Sequence, residues 1–297
     1  MTSHTSHSGH AYHELSDFWK QSLEAGLKED GWPWDWTARG SIREATLRAK
    51  LVAKSDGIWA GAALESALER VSGFPIVRKM LKDGARVVPG TVISEWEGPT
   101  RWILALERPA LNLAAFASGI ATRTSKLVRM AHGAGLKHPP RICSTRKTLP
   151  GYRDLSIYGV ITGGGHPHRV SLSGGVLIKE NHIAAAGGIA SAVGGVRSLA
   201  PHGLGIEVEV RDLRELEQAL ACVVEGVLLD NFTPDQVTQA LELIESESKL
   251  PVTVEVSGGI HEDNLKGYLQ EGVHVISVGS LTHTVKSLDM SLLAVGT

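Results

Sequence analysis

Two periods of apolar and polar positions follow one another along this chain, and the change of period divides it. From Leu15 to Lys28 the apolar positions Phe18, Trp19, Leu23 and Leu27 recur at helical spacing behind a Ser16 or Asp17 that can cap the first turn, which predicts an amphipathic helix. Thr46 to Trp59 alternates as a strand does, ending at Gly61. Ala62 to Val71 reads as helix, and Val87 to Glu95 returns to strand after the turn Lys82-Asp83-Gly84. The stretch from Ile103 through Ala131 is helical in period, as one or two helices interrupted near Pro109 and Gly119. The first part of the chain is therefore expected to be α+β.

Beyond Lys137 short β-branched runs alternate with helical segments, the pattern of parallel strands joined by crossover helices. Six strands are expected: Arg141 to Thr145, Val176 to Lys179, Ile206 to Val210, Val227 to Asp230, Val252 to Val256 and Val275 to Val278. Helical stretches lie around Leu155 and over Ala185 to Leu199, Leu213 to Val223, Pro234 to Glu245 and Glu262 to Gln270. Six such units fit a complete or slightly open α/β barrel, with a further strand expected upstream. An open dinucleotide-binding sheet is excluded, because no G-x-G-x-x-G follows a first strand.

Composition sharpens the division. All seven tryptophans (Trp19, Trp32, Trp34, Trp36, Trp59, Trp96 and Trp102) fall in the first third of the 297 residues. A hydrophobic content of 42% supplies a large core and rules out disorder of the whole chain. The tail of residues 1–13, with His4, His7 and His10 among Ser, Thr and Gly, is too polar to order itself. With 30 Lys+Arg against 32 Asp+Glu, a net charge of −2 gives no basic field for a nucleic acid, although a local basic pocket for a small anion fits within that total. Cys143 and Cys222 match no zinc or redox spacing, and no apolar run reaches membrane-spanning length. A reducing cytoplasm fits, with no membrane partner.

In an α/β barrel the reacting groups come from the C-terminal ends of the strands, because the loops there share one rim. Polar residues collect at those ends. The first strand runs into Thr145-Arg146-Lys147, the second into Lys179-Glu180-Asn181-His182, and the third contains Glu207 and Glu209. The fourth ends in Asp230-Asn231, the fifth in Ser257-Gly258-Gly259 and the sixth in Gly279-Ser280. Glycine at the last two ends lets backbone N–H groups close around a phosphate. Arg146, Lys147, Arg169 and Lys179, with His166 and His168 nearby, require a strongly anionic ligand to offset the cost of gathering like charges. Glu209 and Asp230, on neighbouring strands, offer hard oxygen ligands for Mg²⁺ or for sugar hydroxyls, and Glu207 shares a face with Glu209.

Quoted in order, these segments resemble quinolinate phosphoribosyltransferase, the decarboxylating nicotinate-nucleotide pyrophosphorylase family. The carriers are Glu107-Arg108-Pro109, Ser118-Gly119-Ile120, Thr145-Arg146-Lys147-Thr148-Leu149-Pro150-Gly151, Gly163-Gly164-Gly165 before His168-Arg169, and Leu177-Ile178-Lys179-Glu180-Asn181-His182. The likeness continues through Glu207-Val208-Glu209, Leu229-Asp230-Asn231, Ser257-Gly258-Gly259 and Ser277-Val278-Gly279-Ser280. It implies the type II phosphoribosyltransferase architecture: an N-terminal α/β sandwich over residues 14–117, joined by 284–297, and an open seven-stranded α/β barrel over 118–283. It further implies transfer of a phosphoribosyl group from phosphoribosyl pyrophosphate to quinolinate, with Mg²⁺, in a homodimer or higher oligomer with shared active sites.

By matching position, Arg108 of a partner subunit with Thr145, Arg146, His168, Arg169 and Lys179 would bind the acid. Lys147, Glu209, Asp230, Ser257, Gly258, Gly259, Gly279 and Ser280 would hold the phosphoribosyl moiety, with Glu209 and Asp230 at the metal, directly or through water. Lys147, Lys179, Glu209 and Asp230 would be catalytic. The chain departs from the family's usual pattern at Ser144, at Pro167, at Ser171-Leu172-Ser173-Gly174 and at Trp32 to Thr37. The alternatives are a paralogous transferase for another aromatic acid, a ligand-binding sensor without turnover, and a Schiff-base aldolase using Lys179.

Overall fold

A computed structural model describes residues 9–43 and 45–295. The first elements are α1 (Gly9–Glu29), α2 (Trp36–Ser41), β1 (Thr46–Ala53), β2 (Gly57–Ile58), α3 (Leu64–Ser72), β3 (Val77–Met80), β4 (Arg86–Val87), β5 (Val92–Pro99) and α4 (Thr100–His132). There follow β6 (Arg141–Cys143), α5 (Arg153–Thr162), β7 (Val176–Ile178), α6 (Glu180–Ala186), α7 (Ile189–Leu199), β8 (Ile206–Val210), α8 (Leu213–Ala221) and β9 (Gly226–Asp230). The last are α9 (Pro234–Glu247), β10 (Thr253–Ser257), α10 (Leu265–Tyr268), β11 (Val275–Ser277), α11 (Ser280–His283) and β12 (Met290–Ala294).

The chain forms two compact units. The first takes the described residues of Met1–Arg123, Pro150–Gly163 and Val285–Thr297. Its antiparallel sheet runs β12-β1-β5-β3, with Leu51 opposite both Ser94 and Leu292. Alternation along β1 buries Ala49, Leu51 and Ala53, while the helical period of α1 buries Trp19, Leu23 and Leu27. Trp19, Trp59 and Trp96 are fully buried, and the indole N–H groups of two of them find acceptors: Trp59 in Leu81 O at 3.1 Å and Trp96 in Ser94 Oγ at 3.0 Å. Each such ring stabilises the unit by roughly 5 kcal/mol before entropic costs.

Several sequence expectations change here. Residues 1–8 of the expected tail lie outside the described residues, and residues 9–13 belong to α1. The strand read from Thr46 to Trp59 stops at Ala53 and resumes as β2. The expected break near Pro109 and Gly119 is absent, since α4 is one helix of 33 residues with Pro109 inside it. Gly119 serves close packing instead: a Cβ there would sit 2.2 Å from Lys286 O. Helix α4 is long and apolar enough to cross a membrane, yet 61% of its most apolar stretch is buried in the protein, which makes it a core helix. Helix α5, placed by sequence inside 118–283, packs in the first unit, where Leu155 and Tyr158 join the tryptophan core and the Tyr158 hydroxyl donates to the Asp83 carboxylate.

The second unit takes Thr124–Leu149 and Gly164–Thr284. Its six strands are all parallel, in the order β6-β11-β10-β9-β8-β7, and all six fall where the sequence placed them. The seventh position is a single bridge between His166 and Cys143 on the free edge of β6, not a strand upstream of Arg141. Period two divides the strands cleanly. Val208, Val210, Val227, Leu229, Val254, Val256 and Ile276 join the buried cluster formed with the helices. Their neighbours Glu209, Leu228, Asp230, Glu255, Ser257 and Ser277 line a cavity instead, so the inner face is polar because the outer face already fills the core.

Candidate active site

That cavity, about 700 Å³, opens where the parallel strands end. Strand β6 stops at Cys143, so Thr145, Arg146 and Lys147 follow in irregular chain and all three reach the cavity, which a continuing strand would prevent. Thr145 Oγ1 accepts the Lys147 N–H at 3.1 Å and so fixes the turn. Lys179 follows β7 directly and caps α6, with its ammonium bonded to the Glu209 carboxylate from β8. His168 and Arg169 come from the loop after the His166 bridge, and Arg169 donates to Gly175 O at 3.2 Å.

On the opposite wall, Asp230, Ser257, Gly258 and Gly259 close the ends of β9 and β10. Gly258 holds φ +96°, and a Cβ on it would lie 2.3 Å from Asn231 Oδ1 and 2.8 Å from Asn231 N, so only glycine fits. Asn231 itself has φ 58° and donates its N–H to Ser257 O at 2.8 Å.

The electrostatics favour an anion. Arg146, Lys147, Arg169, Lys179 and Arg211 face Glu180, Glu209, Asp230 and Glu255 around the cavity. His168 adds to the positive side: its hydrogen bonds to Glu207 and Glu255 push its pKa up to about 10. Arg146 Nε is buried with no hydrogen-bond partner among the described residues. Burial, then the Arg146 charge, pushes Arg169 down. Burial pushes Glu209 up to about 7 against the opposing pull of Lys179, with Asp230 adding to the rise. Glu209 from β8 and Asp230 from β9 are thus two carboxylates close enough to repel, hard oxygen donors of the kind a divalent cation takes. Burial pushes the Cys143 thiol up to about 12, so it remains protonated and unreactive at neutral pH.

Three residues chosen from sequence lie elsewhere. Gly279 and Ser280 do not line the cavity. Gly279 caps α11 beside Lys147, whose Cδ lies 3.3 Å from where its Cβ would be. Arg108 is on α4 in the first unit, 72% exposed, and among the described residues it pairs with Glu107 at 3.7 Å. Conversely, sequence reasoning did not single out Glu255, Arg211 or Ser277 as lining residues. A second cavity of about 780 Å³, in the first unit, is lined by Trp32, Trp102 and three arginines but no strand-end cluster.

Known proteins share this fold. Residues 35–118 match the family described as quinolinate phosphoribosyl transferase, N-terminal domain, and residues 120–293 its C-terminal domain. The probable nicotinate-nucleotide pyrophosphorylase [carboxylating] of Bacillus subtilis is 40% identical over 279 residues, covering 92% of each chain. The Homo sapiens nicotinate-nucleotide pyrophosphorylase [carboxylating] is 39% identical over 250 residues, 82% of this chain and 81% of that one. The solved structure of the Francisella tularensis nicotinate-nucleotide pyrophosphorylase superposes with a TM-score of 0.85 at 33% identity, covering 94% of this chain and 97% of that one. With both of its domains matched and relatives alike over most of their length, the chain belongs to the quinolinate phosphoribosyl transferase family.

Proposed function

We propose that the chain is a nicotinate-nucleotide pyrophosphorylase that joins quinolinate to phosphoribosyl pyrophosphate, in the synthesis of NAD. The observation that carries this reading is the convergence of Arg146, Arg169, Lys179 and a protonated His168 on one cavity that also contains a glycine-built phosphate loop. Four cations against one acid call for more than one carboxylate, as quinolinate has. Arg146 Nε is buried without a hydrogen-bond partner among the described residues, an unmet donor on a side chain that lines this cavity.

The pyridine nitrogen forms a bond to the ribose anomeric carbon while the bond from that carbon to the pyrophosphate oxygen breaks, its electron pair leaving with pyrophosphate. Lys147 and the N–H groups of the Ser257 to Gly259 loop meet the charge on the departing group and the 5′-phosphate. Asp230 and Glu209 face the sugar, where their negative charge stabilises the oxocarbenium character of the ribose. A Mg²⁺ bound by Glu209 and Asp230, directly or through water, would neutralise diphosphate charge. The bond from the ring to the adjacent carboxylate then breaks, CO₂ departs, and the ring carbon takes a proton, eased by the positive ring nitrogen.

Arg108 belongs to this reading as a contribution from a partner subunit, which would make the working enzyme a dimer with shared sites. Its exposure and its weak tie to Glu107 leave it available for that role. Two free cysteines suit a reducing compartment such as the cytoplasm.

The test is an assay of the purified protein with quinolinate, phosphoribosyl pyrophosphate and Mg²⁺, following nicotinate mononucleotide and CO₂, with nicotinate run alongside. Quinolinate turns over and nicotinate does not. Equal use of the two acids, or binding without pyrophosphate release, overturns the reading.

A further inference from the structure

Below the rim, on the cavity floor, three side chains from three elements meet at one atom. His168 Nε2 lies 3.1 Å from Glu255 Oε2 on β10 and 3.5 Å from Glu207 Oε2 on β8. The three side chains are 17%, 4% and 18% exposed, respectively. Strand β9, which separates β8 from β10, presents Gly226 at the level of Glu207, and a Cβ there would crowd the Glu207 side chain at 3.3 Å. The missing side chain is what lets Glu207 reach inward.

We propose that Glu255, supported by Glu207, is a positioning residue that keeps His168 as an imidazolium with Nε2–H turned down to the carboxylates and Nδ1–H turned toward the cavity. Given the acid substrate argued above, this makes His168 a fixed cationic donor to a substrate carboxylate across the physiological pH range, and never a proton acceptor. A neutral imidazole held by a backbone carbonyl would lose that capacity near its ordinary pKa. Of the other groups around the trio, Arg169, on the same loop, favours the ionised Glu207 but as a like charge opposes the imidazolium. Arg141, on β6, is a second cation nearby, and Cys143 on β6 is a neutral thiol. The two carboxylates in contact with Nε2 outweigh the opposing cations and the burial. The second oxygen of Glu255 is buried with no hydrogen-bond partner among the described residues, so the hydrogen bond this carboxylate makes there is the one to the imidazole.

Three ligand-type atoms this close also fit a metal ion, and the experiment separates the two arrangements. The histidine ring signals of the ligand-free, full-length protein are followed by NMR over pH 5 to 10, assigned through His168→Asn. In the unaltered protein His168 stays protonated beyond pH 8. In Glu255→Gln, and more fully in Glu207→Gln/Glu255→Gln, it titrates near the ordinary value of about 6.5. In the same variants the quinolinate KM rises about tenfold at pH 8 and returns toward normal at pH 6, where the imidazole protonates unaided, while the phosphoribosyl pyrophosphate KM holds.

Titration of His168 near 6.5 in the unaltered protein overturns the assignment. So does a KM rise equal at both pH values, or one equivalent of metal in the purified protein that Glu255→Gln removes. The NMR result stands whether or not quinolinate proves to be the substrate, so the two ideas fail separately.

Discussion

Gly258→Ala tests the phosphate loop with a single methyl group. Two costs add at that position. The backbone sits at φ +96°, where an L side chain is strained by about 1–3 kcal/mol. The new Cβ also meets Asn231 Oδ1 at 2.3 Å, Cγ at 2.6 Å and N at 2.8 Å. The amide can swing away, but the backbone nitrogen is tied to Ser257 O, so the turn must shift at a further cost of about 1–3 kcal/mol. The sum, about 2–6 kcal/mol, corresponds to a fall of roughly 5–20 °C in the melting temperature.

Gly259→Ala is the internal control. Its φ is +62° and nothing lies within 4 Å, so only the backbone cost of about 1–2 kcal/mol applies. Calorimetric melting of both variants, with KM for each substrate, should show the larger loss at Gly258. Phosphoribosyl pyrophosphate KM should rise more than quinolinate KM in the Gly258 variant. Equal melting temperatures for the two variants, or an unchanged phosphoribosyl pyrophosphate KM in Gly258→Ala, would refute the steric account of this loop.

Other consequences are open to measurement. Lys179→Ala removes a charge-assisted contact to the acid worth roughly 1.5–3 kcal/mol and should weaken quinolinate use at least about tenfold, with a smaller change for phosphoribosyl pyrophosphate by calorimetry. Arg108→Ala and Lys179→Ala proteins, each nearly inactive, should regain turnover when their subunits exchange, because one site of each mixed dimer carries neither lesion; exchange shown by mass-tagged chains with no recovered turnover would remove Arg108 from the partner's site. The folded-state pKa of His168, about 10, lies above its unfolded value of about 6.5, so its stabilisation is fully present below pH 6.5 and is lost as pH rises through 10. Melting temperature should decline over that window, and Glu255→Gln should flatten the decline.

The six parallel strands were legible because a strand covered on its outer face by helices carries a compact apolar run, and turns bound each run. The rim cluster was legible for the same reason: Arg146, Lys179, Asp230 and Ser257 stand immediately after those runs. Glu255 was hidden by its place inside Thr253-Val254-Glu255-Val256-Ser257, where a lone acid looks like ordinary alternation. Placing Ser257 at the rim carried the missing information, since period two puts Glu255 one step below it on the same inner face. The placement of α5 could not be read locally, because Leu155 and Tyr158 find their partners in tryptophans and Asp83 far away in sequence. Pro109 misled in the other direction. A proline costs a helix one donor, and in α4 burial along the rest of its length outweighs that loss.

The pairing of β12 with β1 bears on how the chain is made. Ala53 pairs with Met290, so one edge of the first sheet waits for nearly the whole polypeptide to be synthesised. At 5–20 residues per second the ribosome delivers that partner about 12–50 s later. During this interval β1 offers an open row of amides and carbonyls, the kind of edge that recruits a neighbouring nascent chain. Arg48 and Lys50, of like charge on that strand, discourage such a meeting between identical copies. The six strands of the second sheet leave the ribosome before β12 does, so the first unit to begin synthesis is the last to close. A stop codon just after Thr284 would leave the barrel sheet whole and the first sheet with its edge permanently exposed.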